Sequence, residues 1–195
     1  MNPAKAGKII VPFLKDGVYF TFDDVKKNKP NLLHENLFKS YYDTIFTISH
    51  WSNTMNLYYK NEEGKRISLS RDSIWGYCEN GIPYICIGGY FHKVNTLGSI
   101  SVFTEFYPVL RDPMPIVVTD VKGSAVDRLL DFENGRIGDY DLDNFNFILM
   151  RDEPLFKEFN SIKKLKSKKK KMYSYLEKYN ERHPLFETPT NLNEN

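Results

Sequence analysis

Asp139-Tyr140-Asp141-Leu142-Asp143-Asn144 places three carboxylates at every second residue, as the first half of a calcium-binding EF-hand loop does. That loop needs Gly at its sixth position for a sharp turn and Glu at its twelfth for a bidentate ligand. Asn144 and Met150 stand there instead, so the run reads as an acidic turn leading into a capped helix. The four histidines, His34, His50, His92 and His183, fall in no HExxH or Cys/His spacing, so no metal is assigned. No GxSxG elbow, P-loop or GxGxxG is present either, so no cofactor and no catalytic residue is assigned. An enzyme built from scattered residues stays open, because catalytic groups are recognised by geometry and not by order. His50 or His92 beside a carboxylate in a deep pocket is the form it would take.

Two other constellations point to binding. Lys168, Lys169, Lys170 and Lys171 lie in a stretch from Phe156 to Arg182 with ten Lys or Arg and three Glu. The stretch is therefore +7, and a net charge of +2 leaves −5 for the remainder. Four successive residues turn through about 300° of a helix, so these lysines ring it. That turn stays unburied unless Lys169 lays its stem along the surface. A partner chosen by such a run is anionic: nucleic acid, an acidic membrane surface or an acidic protein. Nucleic acid ranks low, since no Arg-rich cluster accompanies the run. A solvated helix projecting past the core explains the lysines without a partner and ranks ahead.

Trp75, Tyr77 and Tyr84 form the second constellation. Asn80-Gly81, between IWGYCE and IPYICI, is a strong two-residue hairpin signal. It pairs Glu79 with Ile82, Cys78 with Pro83, Tyr77 with Tyr84 and Trp75 with Cys86. Alternation puts Trp75, Tyr77, Tyr84 and Cys86 on one face, and Ile74, Ile85 and Ile87 on the other. Both faces are apolar, so the hairpin reads as central, with the long C-terminal helix as one cover. An open aromatic face would seat a sugar ring or a peptide, but core packing ranks first, because aromatics dominate ordinary cores. Cys78 and Cys86 fall on opposite faces in this register and cannot bond, so two free buried thiols are expected.

The elements that must position these residues are legible in outline. Residues 17–30 read as a short strand and a short helix, with Thr21 as cap and Asp24 as capping-box partner. Residues 44–107 read as an antiparallel meander of six or seven short strands, including Ile45–Trp51 and Met55–Lys60. Gly88-Gly89 marks a bulge or bend. Asn134-Gly135 marks a second hairpin, and Asp141 caps a helix through Met150. Asp152 or Glu153 caps the last helix, with Pro154 at its first position. Apolar residues at Leu155, Phe159, Ile162, Leu165, Met172, Leu176 and Tyr179 then predict one helix over 154–181, about 42 Å long.

The 195 residues fit one domain, with 29 aromatics too many for wholesale disorder. The absence of Gln, the three Ala and the abundance of Lys, Asn and Ile read as coding bias rather than chemistry. No run approaches the roughly 20 apolar residues of a membrane-spanning helix, so the chain is not expected to be an integral membrane protein. The N-terminal run Ile9–Leu14 contains Pro12 and is about half the length of a signal-peptide core, so no export signal is expected here.

Asp16-Gly17-Val18-Tyr19-Phe20-Thr21-Phe22, Asn28-Lys29-Pro30, Ile74-Trp75-Gly76-Tyr77, Gly81 and Tyr84-Ile85 stand out along the chain. With Leu155, Phe159 and Tyr179-Asn180-Glu181-Arg182 they resemble uncharacterised, often exported proteins of Bacteroidota, from about Asp16 to Arg182. The resemblance implies a periplasmic or cell-envelope location, against a cytoplasmic one, and carries no catalytic residue.

The fold expected is α+β: a strongly bent antiparallel sheet or partly open small barrel with a long C-terminal amphipathic helix. One domain spans 1–183, with a sheet core over about 44–137, and residues 184–195 form a disordered tail. The function ranked first is a non-enzymatic exported or envelope protein that binds a ligand or protein partner. An intracellular protein binding an anionic partner through residues 163–171 ranks second, and an enzyme with a dispersed site third.

Overall fold

A computed structural model describes residues 13–33, 37–38, 56–107 and 124–186. The expected strand Ile45–Trp51, His34 and His50 lie outside these residues. The described chain is α+β. Its larger sheet is antiparallel, with β1 (Gly17–Tyr19), β5 (Gly76–Glu79), β6 (Ile82–Ile87), β7 (Tyr90–Thr96), β8 (Ile100–Tyr107), β9 (Ser124–Asp131) and β10 (Arg136–Asp139) side by side. A second sheet holds β2 (Leu37–Phe38), β3 (Asn56–Lys60) and β4 (Arg66–Ser70) in that order. The larger sheet is open, with β1 and β10 at its edges.

Local chemistry explains the turns. Asn80 and Gly81 both take positive φ, 54° and 72°, as a tight hairpin turn demands. The register is the expected one, with Glu79 opposite Ile82 and Tyr77 opposite Tyr84. Gly88 and Gly89, read as a bulge or bend, form a second tight turn at φ 56° and 77°, joining β6 to β7. The true irregularity comes later, where the β7–β8 register shifts between Val94 and Thr96. The helix α1 (Phe22–Lys26) begins with the expected capping box of Thr21 and Asp24.

Three apolar clusters hold the layers together. The first fills the space between β8–β9 and the helices α2 (Leu142–Leu149), α3 (Glu153–Asn160) and α4 (Leu165–Arg182), with Phe145, Phe159 and Leu176 fully buried. Each such side chain contributes roughly 1.5–3 kcal/mol on burial. The second joins Ile74 and Tyr77 to Leu37 and Leu69 of the smaller sheet. The third packs Cys78, Ile85, Phe103 and Leu130 against Leu14, Tyr19 and Val25.

Four expectations need correction. The single helix over 154–181 is two helices, α3 of eight residues and α4 of 18, so α4 is about 27 Å long. Asn160 Nδ2 donates to the Phe156 carbonyl and Ser161 Oγ to the Glu158 carbonyl, side-chain bonds that compete with helix continuation. Second, α4 covers β8–β9 and not the hairpin; the hairpin's covers are the smaller sheet and the N-terminal segment. Third, Leu185 and Phe186 pack on the third cluster, so the docked chain runs past Pro184, where the disordered tail was expected. Fourth, Trp75 does not share the face of Tyr77 and Tyr84. It packs in the third cluster, 5.9 Å from Phe22, while Ile74 packs with Tyr77. The ladder starts at Gly76, just after the 3-10 turn Arg71–Ser73, and strand alternation does not extend back past its start.

Candidate ligand cleft

At one end of the larger sheet, two buried carboxylates each hold a partly exposed nitrogen group beside a cleft. Asp131 ends β9, with 2% of its surface exposed. Arg151, in the link between α2 and α3, grips it with a two-pronged fork, Nη1 to Oδ1 at 2.9 Å and Nη2 to Oδ2 at 2.6 Å. Arg151 Nη1 also meets Glu133 at 2.7 Å. Such forks fix orientation as well as charge. The hydrogen bonds from Asp131 push the Arg151 guanidinium pKa above its ordinary value, so the group stays charged.

The next residue, Asp152, is 4% exposed and serves three partners. It caps α3 by accepting from the Leu155 N–H at 3.1 Å. Its Oδ2 also meets Arg182 Nε at 2.8 Å and His183 Nε2 at 3.0 Å. Burial alone would raise its carboxyl pKa; the Leu155 N–H, His183 and Arg182 outweigh that and hold it below the ordinary value. His183 is the C-cap of α4, its ring stacked on Tyr179 at 4.3 Å.

The helix end is fastened to the sheet by backbone recognition. Asn180 donates to the Ile100 carbonyl and accepts from the Ile100 N–H, both at 2.8 Å. Gly98 makes this approach possible, since a Cβ there would stand 2.2 Å from Asn180 Nδ2. Between these parts lies a cleft of about 290 Å³, walled by Lys26, Ser99, Glu133, Arg151, Tyr179 and His183 with Phe132 and Leu185. Small-molecule sites run from about 300 Å³ upward, so it suits a small, polar ligand. A second hollow, against Phe147 and Asn144, measures about 10 Å³ and holds one water at most.

The cleft contains a serine and a histidine, with Asp152 buried behind the histidine, but not in a nucleophilic arrangement. Ser99 Oγ donates to the backbone carbonyl of His183 at 2.6 Å, not to its ring. In a serine–histidine pair the imidazole nitrogen must be the base.

The residues singled out in the sequence lie elsewhere. Tyr77 is 4% exposed and stacks on the half-buried Tyr84 at 4.6 Å, with Phe91 edge-on at 4.9 Å. Burial raises the phenol pKa values of both tyrosines. Trp75 is half-buried in another cluster, so the three aromatics form no common platform. Lys168 is turned toward α3, bonding Asn160 Oδ1 and lying 4.9 Å over the Phe159 ring; it, and not Lys169, lays its stem on the surface. Lys169, Lys170 and Lys171 are exposed. Cys78 and Cys86 are free, and burial pushes the Cys78 thiol up to about 12. Asp139 pairs with Arg128 and Asp141 caps α2, which occupies two of the three EF-like carboxylates. His92 is 3% exposed in β7, its Nδ1 accepting from the Phe106 N–H at 3.3 Å.

Asp131, Arg151 and His183 carried no sequence signal. Asp152 was visible only as a helix cap. The one available hint was the adjacency of Arg151 and Asp152 between two capped helices.

No family model matches the chain, no curated protein is similar to it in sequence, and no solved structure matches it. Among the described residues, no helix is long and apolar enough to cross a membrane.

Proposed function

We propose that this is a non-enzymatic binding protein that seats a small, polar ligand in the cleft at the C-terminal end of α4. One observation carries the reading. Two carboxylates almost wholly removed from solvent, Asp131 and Asp152, orient Arg151 and His183, whose side chains keep 29% and 39% exposure at the cleft. Fixing donors in advance lowers the entropic cost of binding. The fixed groups are hydrogen-bond donors and a stacked ring, which suits a ligand bearing oxygen acceptors. The resemblance to exported Bacteroidota proteins supports a place in the cell envelope.

The test is a thermal-shift screen of the full chain against small carboxylates, phosphates and monosaccharides. At least one class should raise Tm, and His183→Gln together with Lys26→Met should abolish the rise. A screen without any rise, or a rise unchanged in the double variant, contradicts the reading. N-terminal sequencing of native protein from fractionated cells tests the location: a processed end in an envelope fraction supports it, and an intact cytoplasmic chain opposes it.

A further inference from the structure

We infer that the first turns of α4 dock the protein on an anionic lipid bilayer surface. The buried side chains Met172, Tyr175, Leu176 and Tyr179 define the face of α4 that meets the body. Leu165 lies on that same face, yet it is 63% exposed, so the helix runs past the body's edge there. At about 100° per residue, Leu165, Lys169, Tyr173, Lys166 and Lys170 share a sector of roughly 140°. Leu165 and Tyr173, 63% and 50% exposed, thus stand among three exposed lysines.

The charge there is uncompensated. Seven lysines fall between 163 and 171, and among the described residues none of them makes an ion pair with a carboxylate. They also crowd the positive end of the helix dipole, and Lys164 at the cap position supplies no side-chain bond. Local rules broken without internal compensation mark functional surfaces. An anionic bilayer complements both features: its headgroups meet the lysines, and its interface takes up Leu165 and the Tyr173 ring. A nucleic acid backbone offers nothing to Leu165, and the sector lacks the arginine of phosphate forks.

Full-chain protein is titrated with vesicles of phosphatidylcholine, alone or enriched in phosphatidylglycerol, and with duplex DNA. Binding to phosphatidylglycerol vesicles alone, weakening as salt rises, is the expected result. K166E/K169E/K170E should weaken it at least about tenfold. L165A/Y173A should weaken it a few-fold at unchanged charge. The acidic variant relieves repulsion at the helix start, so its Tm should not fall. Absence of vesicle binding, or full binding by the acidic variant, overturns the inference. DNA binding as tight as vesicle binding, indifferent to L165A/Y173A, overturns it in favour of a nucleic acid partner.

Discussion

The Tyr77–Tyr84 hairpin and the Asp131–Asp152 cleft are built in opposite ways. The hairpin draws its aromatics from one contiguous stretch and buries them between two layers. The cleft draws its groups from α1, the β7–β8 and β9–β10 turns, the α2–α3 link and the end of α4. The hairpin is apolar and closed; the cleft is charged, paired and partly open. A conspicuous cluster of side chains in the sequence became core, while the surface with fixed donors was assembled from residues that are individually ordinary.

The strongest way to break the contrast is Tyr77→Ala. Truncating a fully packed aromatic costs about 3–5 kcal/mol, read from a denaturant midpoint. Cleft-ligand affinity of the folded fraction should be unchanged. If ligand binding falls in step with Tyr77 and stability does not, the hairpin is the site and the contrast fails.

Asp131→Ala comes next, at about 2–4 kcal/mol, because it strands the Arg151 guanidinium without its main partner. Unlike Tyr77→Ala, it should also remove ligand-dependent protection. A loss of stability with ligand protection intact would make the Asp131 fork purely structural.

Acid should separate the two regions by pH window. Burial holds the His92 pKa, beside the hairpin in β7, below its ordinary 6.5. The unfolded chain therefore takes up that proton first, and stability falls as pH drops below about 6.5. Asp152 acts lower: its contribution is present above about 3.8 and is lost as pH falls through its depressed folded value. Denaturation midpoints against pH should show both steps, with His92→Gln removing only the upper one. Stability that rises between pH 7 and 5 would contradict the assignment.

Lys169→Glu should matter least for folding, within about 0.5 kcal/mol, since its side chain is exposed.

What the sequence revealed follows from the same contrast. Asn80-Gly81, the Thr21–Asp24 box and the Asp141 and Asp152 caps act over a few residues, and the structure places each where expected. The helix break at Ser161 was hidden because the apolar spacing runs on in phase through Ile162 and Leu165. The face of Trp75 was hidden because it depends on where the ladder begins. The Asp131–Arg151 fork was hidden because its ends lie 20 residues apart and meet only when β9 and the α2–α3 link come together.

Amide NMR of the full chain, titrated with the compounds that raise Tm, tests the cleft most directly. The account predicts shifts centred on Ser99, Glu133, Arg151 and His183, with Tyr77 and Tyr84 unmoved. Shifts centred on Tyr77 and Tyr84, with the four cleft amides still, would contradict it.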